Sequence, residues 1–189
     1  MQGGVLQKVI EGRPATGLGV ALMMLNGCAS TPPGHPLAEE INDYREARGL
    51  PAIPWSPALA KVAEVHLADI EAHDPTAREC SLHSWSDKGP WTSCCYRADD
   101  PASAQCMRDK PRELIDDAYP HSGFEIVAWR SEAMSEATAL AIWRRSPAHD
   151  AVLANEGVWA SRDWQALGAA LSDEHAVVWF GQEPDPMSD

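Results

Sequence analysis

The sequence predicts an α+β domain in which an antiparallel sheet is covered by helices. Three observations carry it: apolar residues recur at helical spacing early in the chain, apolar runs of strand length close it, and four cysteines crowd an irregular stretch between them. The first helix is read over residues 37–48. There Leu37, Ile41, Tyr44 and Ala47 share one face, Glu39, Glu40, Asp43 and Glu46 lie elsewhere, and Gly49 closes the segment. Residues 50–55 contain Pro51 and Pro54 and are irregular. Ser56-Pro57 has the form of an N-cap followed by proline in the first turn. Behind it Leu59, Val62, Ala63, His66, Leu67 and Ile70 give a second helix a buried face, to about Glu71. His66 lies on that apolar face and is read as a hydrogen-bonded core histidine rather than a ligand.

From residue 74 to 121 the periodicity is lost, and loops with little regular structure are expected. Order returns with a strand at 124–129. Ser135 caps a helix carrying Ala137, Leu140, Ala141 and Trp143 up to Arg145. A second Ser-Pro start, Ser146-Pro147, opens a short helix through Asn155, with His149 exposed in its first turn. Two strand-like runs, 166–171 and 176–180, finish the fold, and Ser172-Asp173-Glu174 supplies turn chemistry between them.

Ahead of the domain, Lys8 and Arg13 precede an uncharged stretch over 14–25 that ends in Leu25-Asn26-Gly27-Cys28. Such a run is too short to cross a hydrocarbon core of ~30 Å comfortably, but it suits the apolar region of a signal peptide. Leu-x-Gly-Cys resembles the bacterial lipobox, in which small residues admit the peptidase and the cysteine sulfur takes the diacylglycerol. Residues 1–27 are therefore expected to be a lipoprotein signal peptide, Cys28 the lipidation site and 28–36 a lipidated tether. The expected product is an exported lipoprotein of the bacterial cell envelope, whose partner through the lipid is the membrane.

The formal charge of the chain is −13, and removing Lys8, Glu11 and Arg13 with the signal leaves −14 over 162 residues. Nucleic acid is excluded as a partner on that ground. The remaining length suits one domain, 37–182, followed by an acidic tail, 183–189. Cys80, Cys94, Cys95 and Cys106 read as two disulfides of an exported protein. A bond between the adjacent Cys94 and Cys95 is strained, so both are expected to pair outward, to Cys80 and Cys106 in either combination. The competing zinc reading lacks any Cys-x-x-Cys pair.

Together these residues carry a family resemblance. The ordered series is Asn42-x-x-Arg45-x-x-x-Gly49-Leu50-Pro51, Trp55-x-x-x-Leu59-x-x-x-Ala63, Leu82-His83-Ser84, Gly123-Phe124-Glu125-Ile126, Trp143-x-x-Ser146-Pro147-x-His149 and Leu167-Gly168. It resembles the bacterial branch of the CAP superfamily, also called SCP, which contains cysteine-rich secretory proteins, antigen 5 and plant pathogenesis-related proteins. The resemblance implies an α-β-α sandwich with a central antiparallel sheet. It also implies a cleft lined by two histidines and two acidic residues, able to hold one divalent metal ion, zinc foremost. The histidines are then His83 and His149, and Glu125 is the first acid. The family pattern reads Gly-Glu-Asn-Ile/Leu, so Glu125 stands where the asparagine would, and a shift of one residue along a strand changes the face a carboxylate occupies. Glu132 and Glu136 are the candidates for the second acid.

Three function classes follow: a binding module whose cleft and Trp85/Trp91 loop hold a lipid, glycan or peptide; a metal-dependent hydrolase in which Glu125 takes a proton from metal-bound water; and a structural envelope lipoprotein. The binding module is preferred. No Gly-x-Ser-x-Gly motif points to serine chemistry.

Overall fold

Alternation along three strands sorts the apolar side chains into two cores, one on each face of a single sheet. The computed structural model describes residues 35–76, 79–115 and 117–188. Cys28 and the expected signal peptide lie outside them. In chain order the elements are α1 (Pro36–Glu46), α2 (Pro57–His73), α3 (Ala104–Arg108), α4 (Lys110–Ile115), β1 (Gly123–Trp129), α5 (Glu136–Arg145), α6 (Pro147–Leu153), β2 (Ala166–Leu171) and β3 (His175–Gly181). Short 3-10 turns lie at Pro101–Ser103 and Gly157–Trp159.

The strands are ordered β1-β3-β2 and pair antiparallel, with Gly123 opposite Gly181, Trp129 opposite His175, and Leu171 opposite Ala176. Phe124, Ile126 and Ala128 of β1, Leu167 and Ala169 of β2, and Ala176, Val178 and Phe180 of β3 pack with residues of α1, α5 and α6. Val127, Ala166, Ala170, Val177 and Trp179 pack instead with residues of α2 and of the disulfide-bearing stretch. This is the α-β-α sandwich. With both faces covered, the strands read as near-continuous apolar runs instead of alternating apolar and polar. Gly168 marks the tightest approach of helix to sheet: a Cβ there would stand 2.1 Å from the Ala60 nitrogen and 2.2 Å from the Leu59 carbonyl carbon. Only glycine lets the two backbones lie this close.

The irregular residues 50–55 are held by side chains acting as backbone partners. Asn42 donates to the Ile53 carbonyl (3.0 Å) and accepts from the Ile53 amide (2.8 Å). The buried Arg45 guanidinium donates to the carbonyls of Pro51 (3.1 Å) and Leu153 (2.6 Å) and to Asn155 Oδ1 (2.7 Å). A buried guanidinium must spend its donors on acceptors of this kind, and here they tie α1 to the end of α6.

The stretch 74–121 is more regular than expected, since it contains α3 and α4. Helices of 5 and 6 residues are too short to show a period. Two disulfides staple it, Cys80–Cys95 and Cys94–Cys106, so the adjacent cysteines do pair outward. They close loops of 15 and 12 residues, each worth about 3 kcal/mol through restriction of the unfolded chain. Ser146 precedes α6 as expected but makes no side-chain cap, leaving Pro147 to set the first turn. Among the described residues no helix is long and apolar enough to cross a membrane.

The expected acidic tail is a further difference, because Asp185 is buried at 4% exposure. Its Oδ2 accepts from the Ser56 hydroxyl (2.6 Å) and the Ala58 amide (3.0 Å), while Ser56 Oγ accepts from the Leu59 amide (3.0 Å). The carboxylate thus completes the N-cap of α2, where the helix dipole favours negative charge. Asp185→Ala should therefore lower stability by about 1–2 kcal/mol in urea titrations. No change would show that the C-terminal residues are a tail after all.

Candidate functional site

Glu125 sits in the middle of β1 opposite Trp179. Phe124 before it packs on Trp159, Trp164 and Phe180, the core of α1, α5 and α6. Alternation therefore turns Glu125 to the α2 face, where its side chain is fully buried. Its two oxygens are both engaged. Oε1 lies 2.5 Å from His66 Nδ1 on α2, and Oε2 lies 2.8 Å from His83 Nδ1 in the loop that follows the Cys80 bridge. Burial pushes the Glu125 pKa up, but the opposing charges and hydrogen bonds of His66 and His83 outweigh it, and the net direction is down. The group is an ionised carboxylate accepting from both rings.

The protons on these rings follow from their partners. His66 Nε2 lies 2.9 Å from the Ser84 carbonyl, which can only accept, so Nε2 carries a hydrogen. Both ring nitrogens of His66 thus face oxygens, Nδ1 the Glu125 carboxylate and Nε2 the Ser84 carbonyl. The Trp85 ring stacks on His66, centroids 4.2 Å apart and planes within 7°. Trp85 is therefore core, not part of a ligand-facing loop as expected, and Trp91 turns its indole N–H to the Ser86 carbonyl. His83 gives its Nδ1 hydrogen to Glu125, which leaves Nε2 as the nitrogen with a lone pair. Its loop is pinned by the Tyr96 amide donating to Ser84 Oγ (2.9 Å), and the Tyr96 ring stands edge-on to His83 at 5.2 Å.

His149 projects from the first turn of α6 and brings its ring centroid to 6.3 Å from that of His83. It is less exposed than the sequence suggested: Nδ1 is buried and has no hydrogen-bond partner. Burial, reinforced by the nearby His83, lowers its pKa, so the ring is neutral near pH 7. Of the other acids considered, Glu132 is exposed and pairs with Arg130, and Glu136 lies in the first turn of α5. Among the described residues neither hydrogen-bonds to the two histidines.

His66 is the site residue that sequence reasoning undervalued. It is a hydrogen-bonded core histidine, as read, but its partner is Glu125. The available signal was its spacing from Asp69, one turn on, which is also buried and accepts from the Ser86 amide (2.8 Å) and hydroxyl (2.5 Å). Two polar groups three residues apart on an apolar stripe mark the place where the loop carrying His83 is fastened.

A family model described as the cysteine-rich secretory protein family, CAP, matches residues 38–149. Among solved structures, an outer surface protein of Borrelia burgdorferi is similar at 17% identity and a TM-score of 0.51, over 77% of this chain and 89% of that one. An extracellular protein of Bacillus anthracis that contains an SCP domain is similar at 17% identity and a TM-score of 0.51, over 78% of this chain and 39% of that longer one. No curated protein sequence matches the chain.

A carboxylate whose pKa is lower folded than unfolded adds stability that is present above the unfolded value and lost as pH falls through the folded one. Acid unfolding should therefore steepen below about pH 4.3, the ordinary glutamate value. Glu125→Gln should cost on the order of 3 kcal/mol at neutral pH, because it removes the buried carboxylate that both rings share, and should flatten that acid limb. Parallel acid limbs for the wild type and the variant, followed by circular dichroism, would contradict the pairing.

Proposed function

The chain belongs to the cysteine-rich secretory protein family, and from that membership we propose that it is an exported lipoprotein of the bacterial cell envelope that binds a ligand in the cleft between His83 and His149. The single observation that supports this best is the approach of two neutral-capable imidazoles, one of them locked in tautomer by a buried carboxylate.

The donor set suits a divalent metal ion, zinc foremost, with limits. His83 Nε2 is free because Nδ1 is committed to Glu125, and the buried Nδ1 of His149 has no partner. Glu125 has both oxygens engaged, so its part is to orient His83, not to ligate. Among the described residues no group of three or more His, Cys, Asp or Glu is placed to hold a metal. An ion held by the two histidines would therefore draw its remaining ligands from water or from the bound molecule, to which it would supply Lewis acidity. The ligand classes that suit an envelope protein are a lipid, a glycan or a peptide. Hydrolysis in the same cleft is the second reading, favoured by the carboxylate behind His83, which holds that ring in one orientation and tautomer.

Titrated with zinc in a calorimeter at pH 7.5, the purified protein should bind, and His83→Ala or His149→Ala should abolish the signal. Glu125→Gln should weaken binding about 10–100-fold. Acidification should release the ion, since protons compete for the same lone pairs, with His149 protonating below the ordinary histidine range because burial lowers its pKa. Heat signals unaffected by either alanine variant would sink the metal reading, and ester turnover that requires Glu125 would favour the hydrolase.

Export is tested separately. Cys28→Ser should move the protein from the membrane fraction to the soluble one while leaving the domain folded. A wild-type exported protein that is soluble without detergent would count against the lipid anchor.

A further inference from the structure

A cavity that shares no residue with the His66, Glu125, His83 and His149 cluster lies where α2 ends over the sheet. Its volume is about 560 Å³, within the range of small-molecule sites. One wall is the last cross-strand pair on the α2 face, Trp129 of β1 opposite His175 of β3. The C-terminal turn of α2 supplies Ile70, Glu71 and its C-cap Asp74, the next loop adds Thr76 and Leu82, and the β2–β3 turn adds Asp173 and Glu174.

Three features agree on the charge that suits this cavity. First, four carboxylates border the cavity and, among the described residues, no lysine or arginine lines it; Arg130, beside Trp129, is paired with Glu132. The C-terminal end of α2 adds the negative pole of its dipole. Secondly, Trp129 is 53% exposed, an unusual position for the largest apolar side chain unless its face has a use. An indole face backed by carboxylates suits an organic cation. Thirdly, His175 is nine-tenths buried and its Nδ1 has no hydrogen-bond partner, the nearest carboxylate oxygen, Glu71 Oε1, being 4.0 Å away. Burial lowers the pKa of His175 although Glu71, Glu174 and Asp74 pull it up, so the ring is neutral at pH 7 and adds no positive charge to the wall. A metal ion is the poorer fit, because the carboxylates are spread around the cavity and no three of them converge.

We propose that this cavity binds a small organic ammonium ion carrying an apolar arm, the charge set among Glu71, Asp74, Asp173 and Glu174 and the arm laid against Trp129, Leu82 and Ile70.

The test uses the purified full chain and 2-phenylethylammonium, followed by ligand-observed NMR and calorimetry, with 2-phenylethanol and 3-phenylpropionate as neutral and anionic counterparts of the same shape. The ammonium should bind at least tenfold more tightly than either counterpart, and more weakly as salt rises. Trp129→Ala and the double variant Glu71→Gln/Glu174→Gln should each lower affinity at least tenfold. Glu71 and Glu174 are exposed, so the double variant keeps the fold and the test stands even if Trp129→Ala does not. Glu156→Gln, at an exposed carboxylate paired with Arg48 that does not line the cavity, should leave binding unchanged. Equal binding of the alcohol, retention of affinity in the double variant, or loss in Glu156→Gln would each overturn the proposal. So would phosphatidylethanolamine vesicles that sediment the protein through Trp129 while the free amine fails to bind, since the source would then be a lipid surface.

Discussion

A buried carboxylate needs compensation, and the way Glu125 obtains it organises the rest of this molecule. A glutamate inside an apolar sandwich would be untenable alone, since an unpaired buried charge costs several kcal/mol. Its two oxygens are answered by His66 from α2 and His83 from the cystine-pinned loop. One side chain of the sheet thereby joins a helix that covers it and a segment with little regular structure. The loop needs that bond, because its own backbone offers few pairings. The disulfides Cys80–Cys95 and Cys94–Cys106, the Asp69–Ser86 contacts and the Glu125–His83 bond together fix a ring that sequence distance alone would leave free.

The same economy appears at the other face. Arg45 and Asn42 lie on α1 among apolar residues, where side-chain periodicity alone would call them misplaced. They substitute for a strand partner along residues 50–55, whose prolines cannot complete a ladder. Polar residues on an apolar stripe, here Asn42, Arg45, His66 and Asp69, are in each case the fastening point of an irregular segment.

The long elements were legible in the sequence because their periods extend far enough to be seen: α2 over 17 residues, and β1 and β3 over 7 each. The helices α3 and α4 were not, being shorter than the window in which a period appears. The role of Asp185 was hidden for a different reason: its contact is with Ser56, 129 residues earlier, and a short acidic segment at a terminus looks the same whether it caps a helix or trails in water. The choice between the two outward cystine pairings likewise depends on which sulfurs the folded stretch brings together, and spacing does not encode that. His83 and His149 could be named from their ordered motifs, yet the degree to which α6 buries His149 could not.

Glu125 shows how a shift of one residue changes the task of a group without removing it from the site. In the family pattern the acid stands one position earlier, where this chain has Phe124. Strand alternation sends Phe124 into the core with Trp159 and Trp164, and sends Glu125 to α2. A carboxylate at the earlier position would project from the opposite face of β1. At the later one it lies behind His83, bonded to the nitrogen that faces inward. His83 is thus fixed at Nδ1 by a carboxylate that is itself shared with His66, so the orientation of the ring depends on a strand and a helix together. A ring held this way keeps one orientation, because turning it would leave a buried carboxylate oxygen without its hydrogen bond.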